Sequence, residues 1–563
     1  MGQQRNKTVM TPRLKKALLA SAGFGVFATA ALAQVAAPNA PLKMQTDYFG
    51  YAASASVRAG YTDNINLQRD ALKDDEYSLS TLFTGGAIMS TPRVTALVLG
   101  DLDFSYLLDG GDFVVSQNIG ATSTFTGVDN WLYLDVSGST SRQLVGDNAR
   151  FSGNINAARN QRANVHSYNA SPYLFHVFSD DSTAELRYRF SQVFVDQTQS
   201  LASFFAGNTI NDSITHEAVA QVDSGRKFDG FRMRLTAYGS DTTEDGDGIF
   251  PDIGYRQGSL SADAQISLSN RFALSGGVGY DEVETQGAAS LFFSDANLSG
   301  FFWRAGFTTR PGPRSFLRLE YGQRYGDEFI DASASYEISQ RFVFNAGASR
   351  TFRTRAQSVT SQFNSTQRAT LEFADRLREG QELSARSIIE SANWYASSRD
   401  FGRAQTTGVA VSNSAHAGLT GDFDRTEIGL NAFYSDDNFG YRQVEGFGGA
   451  LNVRRRLARH VTGYGSVSFR RTDSTFDQAT CIANPLIFGL DTTDPMFDAM
   501  ADCATLALEN GITNTVIGRI GASYRIYENA SLFVEATHSE RFSQNALLEY
   551  AENNVIAGIT VDF

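Results

Sequence analysis

Hydrophobic and polar residues alternate along many segments of this chain. In residues 183–194, apolar Leu186 and Tyr188 alternate with Arg187 and Arg189. The same period of two recurs in other segments, among them 101–106, 231–238 and 316–321. Because successive side chains of a β-strand point to opposite faces, each segment predicts a strand with one apolar and one polar face.

The predicted strands are long, and their connections alternate between short and long. Most segments run to about ten residues or more, whereas strands of soluble proteins usually have about five or six. A soluble β-sandwich also alternates, but short turns on one side and long polar loops on the other are typical of an outer-membrane barrel. Short turns are predicted near 90–93, 127–130, 179–182 and 375–380, and long loops at 63–76, 145–165 and 472–511.

These connections define the predicted fold class and domain organisation. About eleven short turns and about twelve long loops predict about 24 strands, within a range of roughly 20 to 26. We therefore predict an all-β fold, a single transmembrane antiparallel β-barrel of the bacterial outer membrane. Residues 49–563 form it, with short periplasmic turns and long extracellular loops.

Residues 1–33 have the features of a cleaved signal peptide. A basic region precedes an apolar stretch at 17–30, and Ala31-Leu32-Ala33 shows the small-x-small pattern of a cleavage site. A membrane anchor is the alternative, but the apolar run is shorter than the ~20 residues that a spanning helix needs. Residues 34–48 then form a short linker, and the mature protein is predicted to reach the outer membrane of a Gram-negative bacterium.

The last strand carries a predicted insertion signal. Its alternate residues share one apolar face, and the chain ends on an aromatic residue, which resembles the C-terminal signal by which outer-membrane barrels are recognised for insertion. The residues of this face are Val555, Ala557, Ile559, Val561 and Phe563.

Composition limits the classes of partner. The 563 residues carry a formal net charge of −13 and include 2 Cys. An acidic chain disfavours nucleic acid as a partner. The 10 Pro residues suit long strands, because each proline removes a donor from the hydrogen-bond ladder.

Charged residues on the polar faces predict a hydrated lumen wall. The basic candidates are Arg187, Arg189, Arg232, Arg234, Arg318 and Arg470, and the acidic candidates are Glu185, Glu320, Asp101, Asp103, Asp135 and Glu535. The planar guanidinium group suits carboxylate and phosphate ligands. Two interpretations remain open at this stage: a charged path for an anionic polymer, and salt bridges that stiffen the wall.

Cys481 and Cys503 lie in the longest predicted loop, and the chain has no other cysteine. Because export leads through an oxidising compartment, we predict a disulfide between them. Asp494-Pro495 predicts the start of a helix that ends near Gly511. This loop either folds into the lumen and restricts it or forms an extracellular cap.

Catalytic and metal-binding patterns are absent from the sequence. The six His residues do not form an H-E-x-x-H arrangement, and no G-x-S-x-G motif occurs. Asp245 and Asp247 offer oxygen ligands for Ca²⁺, but their spacing departs from the EF-hand loop, and a solvated turn is the alternative. We predict no catalytic residue, no metal and no cofactor, and we expect that the protein is not an enzyme.

Two short sequence stretches resemble the outer-membrane β-barrel family found with exopolysaccharide biosynthesis and PEP-CTERM sorting loci. The first is Gly60-Tyr61-Thr62-Asp63-Asn64-Ile65. The second is Ser171-Pro172-Tyr173-Leu174, followed by Ala184-Glu185-Leu186-Arg187-Tyr188. The resemblance covers about residues 50–563 and implies an export-associated barrel with polysaccharide as cargo.

The resulting hypothesis is an outer-membrane channel that assists exopolysaccharide export or surface retention. A general or solute-specific diffusion porin is one alternative, and a structural or adhesive surface barrel with an occluded lumen is another. The expected partners are outer-membrane lipid and lipopolysaccharide, the barrel-assembly machinery, the polysaccharide cargo and a periplasmic export partner.

Overall fold

The fold is taken from a computed structural model of the chain. The structure describes residues 41–44, 46, 48–144, 150–196, 212–225, 230–245, 252–287, 295–312, 315–354, 357, 383–384, 409–440, 442–483, 485, 497–509 and 511–563.

Strands dominate the described residues. In chain order they are β1 (Pro41–Met44), β2 (Phe49–Thr62), β3 (Glu76–Ser90), β4 (Val94–Leu107), β5 (Phe113–Val128), β6 (Leu132–Leu144), β7 (Arg162–Val177), β8 (Thr183–Asp196), β9 (Ser213–Asp223), β10 (Phe231–Glu244), β11 (Ile253–Ser267), β12 (Phe272–Gly287), β13 (Gly300–Thr309), β14 (Phe316–Arg324), β15 (Asp327–Ser339), β16 (Phe342–Thr354), β17 (Leu383–Ser384), β18 (Val409–Phe423), β19 (Thr426–Asn438), β20 (Arg442–Arg456), β21 (Val461–Phe476), β22 (Gly511–Tyr527), β23 (Ala530–Ser543) and β24 (Tyr550–Asp562). The described α-helices are α1 (Asp295–Leu298), α2 (Gln478–Ala483) and α3 (Ala499–Glu509).

The strands form a closed, all-antiparallel barrel of 22 strands. Each barrel strand pairs with its neighbour in the chain, and β24 closes the ring on β2, with Val57 opposite Ile559. The short strands β1 and β17 lie outside this count: they pair with each other, and β1 also pairs with β2. The predicted barrel class is confirmed, and the 22 strands fall within the predicted range.

The predicted count of about 24 strands included a hairpin around 375–380. Strand β16 pairs directly with β18, so the wall passes from Thr354 to Val409 without a strand between them. Residues 375–380 lie outside the described residues. An alternating sequence is necessary for a wall strand, but it does not by itself place a segment in the wall.

The two faces of each strand meet different surroundings. On β8, the side chains of Leu186 and Tyr188 are exposed on the outer face, whereas Arg187 and Arg189 are largely covered on the inner face. In hydrocarbon every backbone polar group needs a partner, and a closed barrel provides one without leaving a strand edge. The period of two in the sequence is therefore the inside–outside period of the barrel.

Several short turns form where the sequence predicts them. Asn130 and Asp181 occupy left-handed backbone conformations, with φ of 61° and 63°, in the turns that follow β5 and β7. Asn and Asp enter this region more readily than most residues. Within the described part of the chain, no helix is long and apolar enough to cross a membrane.

Candidate lumen site

The structure places all twelve predicted lumen residues on inward-facing positions, opposite the exposed apolar residues of their strands. Arg187 on β8 contacts two carboxylates, Asp135 at 2.8 Å and Glu185 at 2.6 Å. Its guanidinium also lies 3.7 Å from the ring centre of Tyr173. Beside it, Arg189 pairs with Glu217 at 2.7 Å.

The same pairing recurs on other strands. Arg318 lies 2.6 Å from Asp331 and 3.8 Å from Glu320. Glu535 pairs with Arg519 at 3.2 Å, and both side chains are almost fully buried.

The remaining charged candidates have less uniform surroundings. Asp103 forms an ion pair with Arg58. Both residues and buried Asp101 line one cavity on the inner side of the wall. Arg234 pairs with Asp223 at 3.1 Å, while Arg232 is exposed near the start of β10.

Arg470 is held by an aromatic contact with a loop residue. Its guanidinium lies 4.7 Å from the ring centre of Phe151. Apart from Arg232, the predicted arginines of the wall thus meet carboxylates or aromatic rings of the protein, which favours a bracing role over a row of open cationic sites.

Like Arg187 and Arg58, two further arginines reach carboxylates across an intervening strand, and sequence reasoning missed these two. Arg304 on β13 contacts Asp263 on β11, with Nε 3.0 Å from Oδ1. Arg324 on β14 contacts Asp281 on β12, with Nε 2.7 Å from Oδ2. A glycine on the polar face of the middle strand, Gly277 on β12, is the sequence signal that marks the first of these pairs.

The segment 150–161, which joins β6 to β7, folds into the barrel. Its Asn154 donates from Nδ2 to Glu552 Oε1 at 3.2 Å, and its Ser152 hydroxyl donates to the other oxygen of the same carboxylate. Glu552 is buried on β24 and also accepts from the Thr62 hydroxyl at 2.8 Å. We call residues 150–161 the inward segment; the sequence had predicted it as part of a long extracellular loop.

Further contacts hold the inward segment against several strands. Asn156 donates to the Ser105 hydroxyl at 3.1 Å, and Ala158 donates its backbone N–H to the carbonyl of Ile65 at 3.0 Å. The Tyr550 hydroxyl donates to the Phe151 carbonyl. A small apolar cluster forms beneath these contacts, with members Leu67, Ala157, Ala158 and Tyr550.

A second segment packs inward elsewhere in the ring. Leu298 of α1 is buried with Tyr255 and Phe352, two inward residues of the wall. The Tyr255 hydroxyl donates to Gln357, whose Nε2 donates to the Thr242 hydroxyl at 2.7 Å. In strand order this cluster lies far from the inward segment, so the lumen is narrowed from two sectors.

The cysteines are joined by a disulfide that links α2 to α3, with their Cα atoms 5.9 Å apart. Helix α3 starts after Asp498, whose Oδ1 accepts from the Met500 N–H at 2.9 Å. The expected cap, Asp494, lies outside the described residues. At α2, hydrogen bonds from Thr480 and Ala479 lower the pKa of Asp477.

The predicted insertion face lies on the outer side of β24 and its end. Val555, Ala557 and Ile559 are exposed there, Val561 is half-buried and Phe563 is exposed. The Phe563 N–H donates to the Ala53 carbonyl at 2.9 Å, which ties the chain end to the first barrel strand.

The structure describes Asp245, one of the two candidate calcium ligands. The N–H of Asp245 donates to the Asp212 carbonyl at 2.9 Å, and Asp247 lies outside the described residues. Within the part of the chain that the structure describes, no group of three or more His, Cys, Asp or Glu side chains is placed to hold a metal ion.

Comparisons with known proteins find structural similarity but no family. No protein-family model matches the chain, and no curated protein matches it. The siderophore receptor PirA of Acinetobacter baumannii is similar over 91% of this chain and 80% of its own, with 8% identity and a TM-score of 0.46. The ferric-catecholate import receptor Fiu of E. coli K12 is similar over 93% of this chain and 82% of its own, with 10% identity and a TM-score of 0.46.

The chain forms an outer-membrane-type β-barrel. That conclusion follows from its own strand pairing, because identities this low carry no ligand or residue role from one protein to another.

Proposed function

We propose that this protein is an outer-membrane channel that assists the export or surface retention of an exopolysaccharide. The observation that carries the proposal is the inward segment, which is seated against a polar lumen wall through Glu552. A channel for a hydrated polymer needs a wall that offers hydrogen bonds and a constriction that limits leakage of small solutes. The inward segment supplies such a constriction.

The charge arrangement of the wall supports a polyhydroxylated cargo. Arg187, Arg189 and Arg318 each lie against carboxylates of the protein, so the wall presents few isolated positive charges to an anionic polymer. Hydroxyl and amide side chains also occupy inward positions of the wall, for example Asn118, Ser137 and Asn169. Such groups both donate and accept hydrogen bonds, as sugar hydroxyls do.

The proposed cellular setting follows the same logic. Outer-membrane lipid surrounds the exposed apolar face, the barrel-assembly machinery inserts the chain, and a periplasmic export partner delivers the polymer. The barrel has no catalytic role in this proposal; passage through the lumen is passive.

Deletion of the gene tests the function. We expect polysaccharide to accumulate inside the cell and to decrease outside it, with complementation by the full chain. If secretion is unchanged and uptake of small solutes falls, the protein is a diffusion porin and the proposal is wrong.

Conductance in planar bilayers tests the constriction. Glu552→Leu removes the carboxylate that accepts hydrogen bonds from Ser152 and Asn154. We therefore expect the inward segment to detach from the wall and single-channel conductance to rise. Glu528→Leu, at an exposed turn between β22 and β23, is the matched control. Equal conductance of the two variants would show that the inward segment does not restrict the lumen.

A further inference from the structure

A cavity lies between the inward segment and the barrel wall. The wall strands contribute Arg58, Asp103, Asn118 and Phe533 to its lining, and the inward segment contributes Asn156. Its surface combines carboxamides, hydroxyls and paired charges with one aromatic ring. Binding sites for small molecules commonly join a few placed polar groups to apolar surface in this way.

The carboxamide of Asn118, which lines this cavity, lacks hydrogen-bond partners among the described residues for both of its polar atoms, Oδ1 and Nδ2. The residue is more than nine-tenths buried on β5. Asn156, which lines the same cavity, donates from its Nδ2 to the Ser105 hydroxyl, but its Oδ1 has no partner in the described part of the chain. Two neighbouring hydroxyls of a ligand would satisfy these groups, because each can donate to one carboxamide oxygen and one of them can also accept from Asn118 Nδ2.

Phe533 supplies a flat apolar surface in the same cavity. It lies opposite Gly558 in the pairing of β23 with β24. A Cβ on Gly558 would lie 3.0 Å from the ring, so the glycine leaves room for the ring to lie across the wall. The C–H face of a pyranose ring packs against such a surface, while its edge presents hydroxyls to the carboxamides.

The charges around the cavity favour a neutral ligand over an acidic one. Arg58 is paired with Asp103, and Arg519 is paired with Glu535 at 3.2 Å, while Arg142 donates to the Ser116 hydroxyl at 3.0 Å. A phosphate or uronate would have to compete with these internal carboxylates for the guanidinium groups of the two ion pairs, and the carboxylates would repel it. A neutral sugar requires no such exchange.

We infer that this cavity binds a neutral sugar unit, held by Asn118 and Asn156 at its hydroxyls and by Phe533 at its face. The identity of the cargo as a polysaccharide rests on the proposed function; the binding chemistry rests on the cavity alone. The cavity would then act as a recognition point where the polymer passes the inward segment.

Calorimetric titration of the full-length barrel in detergent tests the inference. The probes are neutral hexasaccharides of glucose, galactose, mannose or N-acetylglucosamine, with a hexamer of galacturonate as the acidic comparison. We expect at least one neutral hexasaccharide to bind more tightly than the acidic hexamer. Asn118→Leu and Phe533→Leu should each weaken that binding by about tenfold, a factor that corresponds to ~1.4 kcal/mol.

Asn452→Leu is the matched control. Asn452 is also a buried, inward-facing asparagine, and its Oδ1 likewise has no partner among the described residues, but it lies on β20 outside the cavity lining. Retention of folded mobility on unheated gels confirms that each variant is a folded barrel. Absence of neutral-sugar binding in the unmodified protein, or equal affinities of the Asn118 and Asn452 variants, overturns the inference.

These results are distinguishable from those of the deletion experiment. Sugar binding without a secretion defect would retain the site and overturn the export function. A secretion defect without sugar binding would retain the function and overturn the site.

Discussion

Arg304 reaches Asp263 across an entire intervening strand, with its Nε 3.0 Å from Oδ1 of the carboxylate. The middle strand carries Gly277 at the crossing point, where a Cβ would overlap Asp263 Oδ1 and lie 2.9 Å from Arg304 Nε. The pair therefore requires a residue without a side chain between its two members. This relationship ties three strands together on the lumen side.

Replacement of this glycine should weaken the barrel. Gly277→Ala places a methyl group between the charges, and both flexible side chains must separate to make room. We expect a loss of about 1–2 kcal/mol in the free energy of unfolding, since the pair is only partly exposed. Urea unfolding from lipid vesicles measures it.

The neighbouring residue provides the control for this prediction. In Gly276→Ala the new Cβ would lie 3.6 Å from its nearest atom, the Arg304 carbonyl oxygen, which is ordinary contact. Alanine is normally preferred to glycine within a strand. Equal stabilities of the two variants would contradict the role assigned to Gly277.

The inward segment should respond to a single added methyl group. In Gly153→Ala the Cβ would lie 2.6 Å from Thr537 Cγ2 and 3.2 Å from Arg519 Nη2. Overpacking of this kind costs about 1–3 kcal/mol, and here it weakens the packing of the inward segment against the barrel wall. We expect higher conductance in planar bilayers. Gly258→Ala, which has open space around the new Cβ, should conduct as the unmodified protein does.

The disulfide should protect the loop that contains it. Cys481 and Cys503 are 22 residues apart in sequence, and closing a loop of this size contributes about 3 kcal/mol in the chain-entropy model. We expect the double serine variant to be cleaved faster by protease between α2 and α3, with the barrel itself intact. Reduction of the unmodified protein should have the same effect, and equal cleavage before and after reduction would contradict it.

The role of this loop in transport is a separate question. If it restricts the lumen, the double serine variant should change both conductance and export. If it is an extracellular cap, both should remain unchanged while protease sensitivity rises.

Charge on the outer face should carry a cost that depends on depth. Leu319 is exposed on the outer face of β14, and Leu319→Arg should destabilise the barrel by about 2–4 kcal/mol if this position lies near the bilayer centre. Leu457→Arg, in the exposed turn after β20, should cost only about 0–1 kcal/mol. Folding titrations in vesicles compare them, and equal costs would contradict the assignment of the outer face to lipid.

Asp477 should make helix α2 sensitive to acid. Hydrogen bonds from Thr480 and Ala479 lower the pKa of Asp477 in the folded loop, so the carboxylate stabilises the helix above its ordinary pKa. That contribution is lost as the pH falls through the lowered value. We expect protease sensitivity at α2 to rise on acidification, whereas Asp477→Asn, which keeps a side-chain cap without a charge, should show a smaller pH dependence.

The sequence determined the barrel because lipid on the outside and water on the inside require apolar and polar residues to alternate along each strand. The alternation seen in Leu186, Arg187 and Tyr188 follows directly from lipid outside and water inside, and so it is visible residue by residue. The same rule placed Arg187 and Glu185 on the inner face. It did not fix the number of wall strands, because alternation does not specify which segments pair in the ring, where β16 pairs directly with β18.

Only the tertiary structure decided which groups meet inside that ring. Ser152 and Glu552 are far apart in sequence, and Arg304 meets Asp263 only because two strand registers bring a glycine between them. Closure of the barrel places its first and last strands side by side, and the inward segment packs against that seam. Such contacts depend on register and on the path of a loop, neither of which leaves a periodic signal in the chain.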